Sequence, residues 1–257
     1  MTDTLVHHHV DGAVARLTLD SPHNRNALSA RLVTQLRDGL HAAADDPAVR
    51  AIVLGHTGGT FCAGADLSEA SGGDPYEAAV GRARELAAVL RSIVECPVPV
   101  IAAIDGHVRA GGMGLVGACD IVVAGPRSTF ALTEARIGVA PAIISLTLLP
   151  KLSPRAAARY YLTAETFNAG QAADIGLVTT TADDVGLAVN AVAAEVTKAS
   201  PQGLAASKAL TTASVLAGFD RDAERLAQES ARLFVSEEAR EGMLAFLQKR
   251  PPRWADN

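Results

Sequence analysis

The sequence of 257 residues predicts a mixed α/β fold, in which helices cover a mostly parallel sheet and a helical portion follows. Short apolar runs at 51–54 and 98–104 alternate with amphipathic helical segments, as expected for parallel strands that are buried on both faces. From residue 153 onward, the apolar spacing is almost wholly helical. With 49% hydrophobic residues, the chain can build one large core.

The first elements are a strand, a turn and a helix. Residues 14–20 alternate between apolar and polar side chains and end at Ser21-Pro22, which indicates a strand followed by a turn. Ser29 is a typical N-cap, and the helix that it begins has apolar residues at helical spacing as far as Asp45. For the three histidines at 7–9, we expect a solvated strand edge rather than a metal site.

The central part contains two glycine-rich segments. The buried strand 51–54 is followed by a loop at Gly58–Asp66, a helix at 76–94 and the strand 98–104. The cluster Gly111–Gly114 then opens an apolar helix that ends near residue 120, and the strand 121–124 follows it. A cap at Ser153 with Pro154 begins the helical portion. Its predicted helices are 154–162, 169–175, 184–198, 202–213, 221–235 and 237–248.

Charge and composition argue against several classes of protein. The net charge is −5, and because no run of Lys or Arg exceeds two residues, we expect no nucleic-acid partner. The longest apolar run, 98–104, is far shorter than the roughly 20 residues that span a membrane. No secretory signal is evident, and the three cysteines lack C-x-x-C spacing, so we expect a cytoplasmic protein with reduced thiols and no metal site.

Two bends of small residues, 61–67 and 110–114, are the candidate sites of chemistry. Each could present backbone N–H groups, and two such groups that converge on one carbonyl oxygen would form an oxyanion hole. The alternative is that the glycines only serve tight turns and close packing. The sequence lacks the P-loop, G-x-S-x-G and H-E-x-x-H patterns, and its match to the dinucleotide-binding glycine pattern is poor.

Six motifs in order along the chain resemble those of the crotonase, or enoyl-CoA hydratase/isomerase, superfamily. They are SPHNRNALS at 21–29, TFCAGADL at 60–67, PVIAAIDGHVRAGGMGLVGACD at 99–120, FALTEARIG at 130–138, ADIGLV at 173–178 and SEEAREGMLAF at 236–246. The resemblance implies a spiral of ββα units at 1–198 and a helical trimerisation region at 199–257. It also implies a homotrimer or a dimer of trimers that acts on acyl-CoA thioesters, with CoA as part of the substrate and no separate cofactor.

The resemblance assigns roles to individual residues. The backbone N–H groups of Ala65 and Gly111 would hold the thioester oxygen, and Gly112 would help to begin the helix that faces it. The CoA moiety would be bound by a set of residues near the bends and near the C-terminus, the latter from a neighbouring subunit. These residues are Arg25, Ala27, Ala63, Asp66 and Leu67, together with Phe246 and Lys249. For Arg25 and Lys249, a solvated surface charge is the alternative.

The proton-transfer residue follows from the same comparison. Most hydratases of the family use two glutamates, and the first of these positions falls here on Gly114, which cannot transfer a proton. The second falls on Glu134, so a single carboxylate remains. Judged without the resemblance, Glu134 would be a solvated charge at a helix start. His56 and His107 are expected to have packed or hydrogen-bonded roles, and Asp120 to be a structural carboxylate.

One carboxylate suffices for more than one reaction. Glu134 could promote addition of water to a 2-enoyl-CoA, or shuttle a proton between C2 and C4 of a 3-enoyl-CoA. The segments around Gly114 and Glu134 resemble the branch that includes methylglutaconyl-CoA hydratases, which favours an enoyl-CoA hydratase, a hydro-lyase. The alternatives are an isomerase, a weakly catalytic acyl-CoA-binding paralogue and a hydrolase of a thioester or β-diketone.

Overall fold

A computed structural model describes residues 3–66, 69 and 73–255 of the chain. Its strands are β1 (Val6–Asp11), β2 (Val14–Leu19), β3 (Ala51–His56), β4 (Thr60–Cys62), β5 (Val100–Ile104), β6 (His107–Arg109), β7 (Ile121–Ala124), β8 (Thr129–Ala131), β9 (Phe167–Asn168) and β10 (Thr180–Thr181). Its helices are α1 (Ala30–Asp45), α2 (Pro75–Glu95), α3 (Gly111–Ala118), α4 (Ser145–Leu148), α5 (Pro154–Thr163), α6 (Ala169–Asp174), α7 (Val185–Val196), α8 (Pro201–Phe234) and α9 (Glu237–Leu247). Short 3₁₀ turns cover Pro22–Asn24, Glu134–Ile137 and Arg253–Ala255.

The strands form two sheets. The larger sheet has the order β1-β2-β3-β5-β7-β10, and its strand pairs are parallel except for β1 with β2. The smaller sheet has the order β4-β6-β8-β9, and only β8 with β9 is antiparallel. The predicted mixed α/β class, with a mostly parallel sheet covered by helices, is confirmed.

The two faces of the larger sheet pack against different helices. Leu54 and Ala102 point into the main core, which also contains residues of α1 and α2. Val53 and Ile101, one position earlier in each strand, contact the apolar side of α7 instead. This alternation follows from the two-residue period of a β-strand, and burial on both faces explains why these strands are continuous apolar runs.

Several predicted boundaries are confirmed by the capping interactions. The Ser29 hydroxyl accepts a hydrogen bond from the backbone N–H of Leu32 at 3.2 Å, and Ser153 accepts one from Ala156 at 3.3 Å. Each bond satisfies one of the N–H groups that the first turn of a helix leaves unpaired. The strand predicted at 121–124 has the same limits in the structure.

Two features of the sequence interpretation are wrong. The segments 202–213 and 221–235 are not separate helices, because α8 runs without interruption through 214–220. Gly218 weakens a helix, but Val215 and Phe219 beside it are buried in the main core, and this packing outweighs the low helix propensity of glycine. The segment 58–66 is also not only a loop, because it contains β4, and the smaller sheet to which β4 belongs was missed.

A buried ion pair joins α8 to the sheet. The Lys208 ammonium lies 2.6 Å from a carboxylate oxygen of Asp120 and donates hydrogen bonds to the carbonyl oxygens of Ile93 and Val98. The same Asp120 oxygen accepts a hydrogen bond from the Val100 N–H at 2.8 Å. The expected structural role of Asp120 is thereby confirmed. The division proposed at 198/199 falls between α7 and α8, yet α8 contributes to the same core as the preceding part.

The three histidines at 7–9 lie on the edge strand β1, where they are exposed, as expected. His7 is paired with Asp20 at 2.7 Å. Within residues 3–66, 69 and 73–255, no group of three His, Cys, Asp or Glu side chains is arranged to hold a metal ion. No helix in this described part of the chain is long and apolar enough to cross a membrane.

Candidate active site

The two small-residue bends follow neighbouring strands of the smaller sheet. β4 and β6 are parallel, so the bend after β4 and the bend after β6 meet at the same edge of the sheet. Gly111, the second residue of the second bend, is also the first residue of α3. The topology therefore brings together the two segments that the sequence analysis singled out.

The backbone amides of Ala65 and Gly111, the expected donors of the oxyanion hole, each follow a residue with positive φ. Gly64, before Ala65, has φ +93°, and Ala110, before Gly111, has φ +46°. A Cβ atom on Gly64 would lie 2.8 Å from the Cβ atom of Ala110, so this position requires glycine. At Ala110 the same backbone region is strained for a residue with a side chain, by about 1–3 kcal/mol. Strain of this kind is common where a backbone is held in place for function.

The two amides lie side by side. An ideal Cβ atom built on Gly111 would lie 3.8 Å from the Ala65 nitrogen, and one built on Gly64 would lie 3.3 Å from the Gly111 nitrogen. Neither N–H donates a hydrogen bond to another described residue, and Gly111 occupies a helix position that has no acceptor within the helix. Two free neighbouring donors can hold one carbonyl oxygen.

The chain at 25–29 forms an outer wall of this site. Leu28 donates a backbone hydrogen bond to the Gly64 carbonyl oxygen at 2.7 Å, and Ala63 donates one to the Arg25 carbonyl oxygen at 3.1 Å. An isolated bridge also joins Leu28 to Ala65. The bend that carries Ala65 is thus fixed by main-chain bonds to a preceding segment.

The side chain of Asn26 fixes the segment 25–29 by hydrogen bonds, and the sequence analysis did not identify this residue. Its buried side chain accepts a hydrogen bond from the Ser21 N–H at 2.7 Å and donates to the carbonyl oxygens of Thr57 and Thr60 at 3.2 and 2.7 Å. Its φ is +53°, a region that asparagine tolerates better than most residues. The asparagine within the motif SPHNRNALS was the available signal.

Glu134 begins the 3₁₀ turn that follows β8. Its side chain is only 8% exposed, and its Oε2 atom has no hydrogen-bond partner among the described residues. Burial raises the pKa of this carboxyl group from 4.5 to about 7, against a smaller opposing effect of its own backbone N–H. A group of this kind can accept and return a proton near neutral pH.

Close backbone contacts fix the 3₁₀ turn in place. A Cβ atom on Gly242 of α9 would lie 2.5 Å from the carbonyl carbon of Ile137, and one on Gly138 would lie 2.7 Å from that of Glu238. The Arg136 guanidinium donates a hydrogen bond to the Thr163 carbonyl oxygen of α5 at 3.3 Å. Glu134 is therefore carried by a turn that two helices support.

Apolar side chains occupy the space beside Gly114. A Cβ atom at this position would lie 2.5 Å from Cγ2 of Ile144 and 3.1 Å from Cδ1 of Leu90. The Thr147 hydroxyl, one turn after Ile144, donates a hydrogen bond to the Gly114 carbonyl oxygen at 3.0 Å. Helix α3 thus packs where the resemblance would have placed the first glutamate.

The residues expected to bind CoA fall into two groups. Ala63 and Asp66 belong to the first bend, and Arg25 and Ala27 lie in the segment that borders it; Asp66 accepts a hydrogen bond from the Asn24 amide at 3.0 Å. Leu67 lies outside the described residues. Gly112 is the second residue of α3, where a Cβ atom would lie 2.7 Å from that of Cys62. Phe246 and Lys249 are exposed near the end of α9, whose packing partners are α8 and the turn of Glu134.

Two further polar side chains, those of His56 and Arg109, have structural partners. The His56 Nε2 atom accepts a hydrogen bond from the Asp105 N–H at 3.2 Å, and burial lowers the pKa of the imidazole. The Arg109 guanidinium donates to the carbonyl oxygens of Val108 and Thr129 at 2.8 and 2.7 Å. The contact of His56 agrees with the packed or hydrogen-bonded role that was expected for it.

Comparison with known proteins agrees with this architecture. The family model "Enoyl-CoA hydratase/isomerase" matches residues 9–257. A crystal structure of an enoyl-CoA hydratase from Mycobacterium avium is 69% identical, with a TM-score of 0.93 over 98% of this chain and 100% of that chain. A carnitinyl-CoA hydratase from the same organism is 30% identical, with a TM-score of 0.85 over 100% of both chains.

A relative with a similar description comes from Proteus mirabilis. Its carnitinyl-CoA dehydratase is 32% identical over 251 residues, which cover 95% of each chain. The match of the family model extends over nearly the whole length, and the solved structures share the arrangement of both sheets with their helices. The chain therefore belongs to the enoyl-CoA hydratase/isomerase family of the crotonase superfamily.

Proposed function

We propose that the protein is an enoyl-CoA hydratase, a hydro-lyase that adds water across the 2,3 double bond of a 2-enoyl-CoA thioester. The observation that carries the proposal is the buried Glu134 carboxyl group, whose Oε2 atom has no partner among the described residues and whose pKa is about 7. The adjacent free N–H groups of Ala65 and Gly111 supply the second requirement, a place for negative charge.

In the proposed reaction, the ionised Glu134 takes a proton from water while the water oxygen bonds to Cβ of the substrate. The electrons of the double bond move to the thioester oxygen, which becomes an enolate oxygen held by the N–H groups of Ala65 and Gly111. Protonated Glu134 then returns the proton to Cα. Because the pKa of Glu134 is about 7, both steps can use the same carboxyl group near neutral pH.

The names of the relatives favour hydration. The Mycobacterium avium structures are described as an enoyl-CoA hydratase and a carnitinyl-CoA hydratase, so both names are those of hydratases. We assign Arg25, Ala27, Ala63, Asp66 and Leu67 to the CoA moiety, with Gly112 at the helix start behind the thioester oxygen. No separate cofactor enters the proposed reaction.

Self-association is part of the proposal. Leu244, Phe246 and Leu247 form an apolar strip on α9 with exposed fractions of 44%, 57% and 66%. Large exposed apolar side chains close together are typical of interaction surfaces, and a homotrimer or a dimer of trimers would bring Phe246 and Lys249 to a neighbouring active site. We propose a cytoplasmic location, supported by the free, buried state of all three cysteines.

The test is the hydration of crotonyl-CoA by the wild type and by Glu134→Gln. We expect the variant to lose at least about 100-fold in kcat, the usual contribution of a general acid or base, while it still binds butyryl-CoA. Glu195→Gln is the matched control, because Glu195 is exposed on α7 and paired only with Lys198. Unchanged turnover by Glu134→Gln would remove Glu134 from the mechanism. If the wild type binds butyryl-CoA but does not hydrate crotonyl-CoA, the protein would be the acyl-CoA-binding paralogue.

The single carboxylate also favours a second candidate, isomerisation of a 3-enoyl-CoA. Position 114 on α3 is glycine, and Ile144 and Leu90 fill the space beside it, so α3 supplies no glutamate to the site. A proton shuttle between C2 and C4 needs only one carboxyl group. Offering a 3-enoyl-CoA separates the two candidates. Conjugation of the double bond without uptake of water, at a higher kcat/KM than hydration of crotonyl-CoA, would identify an isomerase.

A further inference from the structure

Two buried polar atoms near the candidate active site have no partner. They are Oε2 of Glu134 and the hydroxyl oxygen of Tyr161, and neither forms a hydrogen bond to a described residue. A buried polar atom without a partner destabilises a fold by about 1–3 kcal/mol, so such atoms usually have a partner that binds from solution. The carboxyl group already has a proposed role, whereas the hydroxyl group has none.

The two atoms belong to neighbouring elements. Tyr161 lies on α5, and α5 packs against the 3₁₀ turn that Glu134 begins, with the bond from Arg136 to Thr163 between them. Burial, and then the negative charge of Glu134, raise the pKa of Tyr161 well above its ordinary value. The phenol is thus within electrostatic reach of the carboxylate, although no direct hydrogen bond joins them.

The adjacent Tyr160 has different surroundings, so the position of Tyr161 near Glu134 is not shared by every tyrosine of α5. Tyr160 is 3% exposed and packs against Phe167, with the ring centroids 4.0 Å apart. Successive residues of a helix point about 100° apart, so the two tyrosines face different surroundings. Of these two tyrosine hydroxyl groups, only that of Tyr161 is among the buried atoms that have no partner in the described residues.

We propose that the hydroxyl group of Tyr161 and Oε2 of Glu134 together hold the water molecule that attacks the substrate. This inference rests on the proposed hydratase function and assigns the second contact that the reacting water needs. In a site where apolar groups fill the place of the first glutamate, one carboxylate alone leaves the orientation of that water unspecified.

The hydrogen bonds of such a water are consistent with its reaction. One water hydrogen is donated to Glu134 and the other to the Tyr161 oxygen, which leaves a lone pair directed at Cβ. As the C–O bond forms, the first hydrogen passes to Glu134, the electrons of the double bond move to the thioester oxygen, and the proton later reaches Cα. Tyr161 remains neutral throughout, as its raised pKa requires.

If Tyr161 helps to hold the water, two activities of Glu134 can be distinguished: hydration and the exchange of a Cα proton. Hydration needs Glu134 and a held water, whereas exchange of a Cα proton with solvent deuterium needs Glu134 and the oxyanion hole but no attack by water. Removal of the Tyr161 hydroxyl should therefore weaken hydration selectively. A change that merely disturbed α5 would displace Glu134 and weaken both activities together.

The experiment compares Tyr161→Phe with Tyr160→Phe, which removes the same atom from the adjacent residue. Hydration is measured with crotonyl-CoA, and Cα exchange with butyryl-CoA in D₂O. For Tyr161→Phe we expect kcat of hydration to fall about 10- to 100-fold, as for loss of one hydrogen bond to a reacting group, with KM and the exchange rate within about threefold of wild type. Tyr160→Phe should leave both rates near those of the wild type.

Three results would overturn the inference. Hydration by Tyr161→Phe within about twofold of the wild type would show that the hydroxyl is not needed. A parallel loss of hydration and exchange would assign Tyr161 a structural role. A wild-type protein that exchanges Cα protons but does not hydrate crotonyl-CoA would overturn the proposed function as well, and this outcome is distinct from the other two.

Discussion

At the scale of a single residue, the protonation of Glu134 connects stability with chemistry. The folded chain holds this carboxyl group in an apolar place, where its pKa is about 7 instead of 4.5. Between these two values, the folded state retains a proton that the unfolded chain has lost. The same burial that suits the group to the proposed proton transfer therefore destabilises the fold as the group ionises.

This coupling predicts a pH dependence of stability. One pKa unit corresponds to about 1.4 kcal/mol, so ionisation of Glu134 should lower the free energy of unfolding by about 3 kcal/mol as the pH rises from 4.5 to 7. Glu134→Gln has no such ionisation. Urea unfolding of both proteins at pH 5 and pH 8 should show that the variant gains stability relative to the wild type at the higher pH. An unchanged difference between them at the two pH values would contradict the raised pKa.

At the scale of the element, the same substitution should have opposite effects on two helices. A Cβ atom at Gly114 of α3 meets Ile144 at 2.5 Å, whereas one at Gly218 of α8 meets nothing within 4 Å. Gly114→Ala should therefore destabilise by about 1–3 kcal/mol through overpacking. Gly218→Ala should stabilise by about 0.5–1 kcal/mol, since alanine favours the helix. Chemical denaturation measures both changes, and destabilisation by Gly218→Ala would show that α8 is not a plain helix there.

The elements differ in how well the sequence predicts them. The strands at 51–54 and 121–124 and the helix capped by Ser29 were evident, because their signals are local. The strands of the smaller sheet have two or three residues, which is too few for a periodic pattern. The continuity of α8 through Gly218 depends on tertiary packing, which a local reading of glycine does not include.

The candidate active site likewise has features that the sequence predicts and features that depend on the folded structure. The motifs pointed, by resemblance, to the two bends that the structure brings together and to the buried carboxyl group of Glu134. They could not show that Ala65 and Gly111 present adjacent N–H groups, because the direction of each amide depends on the φ angles of Gly64 and Ala110. They also gave no sign of Tyr161, whose proposed role depends on the packing of α5 against the turn of Glu134, two elements that are distant in sequence.

At the scale of the whole molecule, one buried ion pair attaches the C-terminal helices to the sheet. Lys208 and Asp120 are 2.6 Å apart, with side chains that are 5% and 16% exposed. Lys208→Met should destabilise by about 3–5 kcal/mol, because it leaves the Asp120 carboxylate buried without its cation. Thermal or urea unfolding monitored by circular dichroism would measure this loss.

An exposed pair between α2 and α8 provides the control. Arg84 and Glu224 are 2.6 Å apart, but their side chains are 55% and 56% exposed. Arg84→Met should change the free energy of unfolding far less than Lys208→Met does, because water screens such an exposed pair. Equal losses of unfolding free energy in Lys208→Met and Arg84→Met would mean that burial does not determine how much an ion pair contributes to stability.

The contact between Gly114 and Ile144 also bears on how this protein could change over evolutionary time. A glutamate at 114 would collide with Ile144, and a smaller residue at 144 alone would leave a cavity against α3. Each single step is harmful, and only the pair could be neutral, which is the condition called sign epistasis. A chain with glycine at 114 and isoleucine at 144 therefore has no path of harmless single mutations to a glutamate on α3.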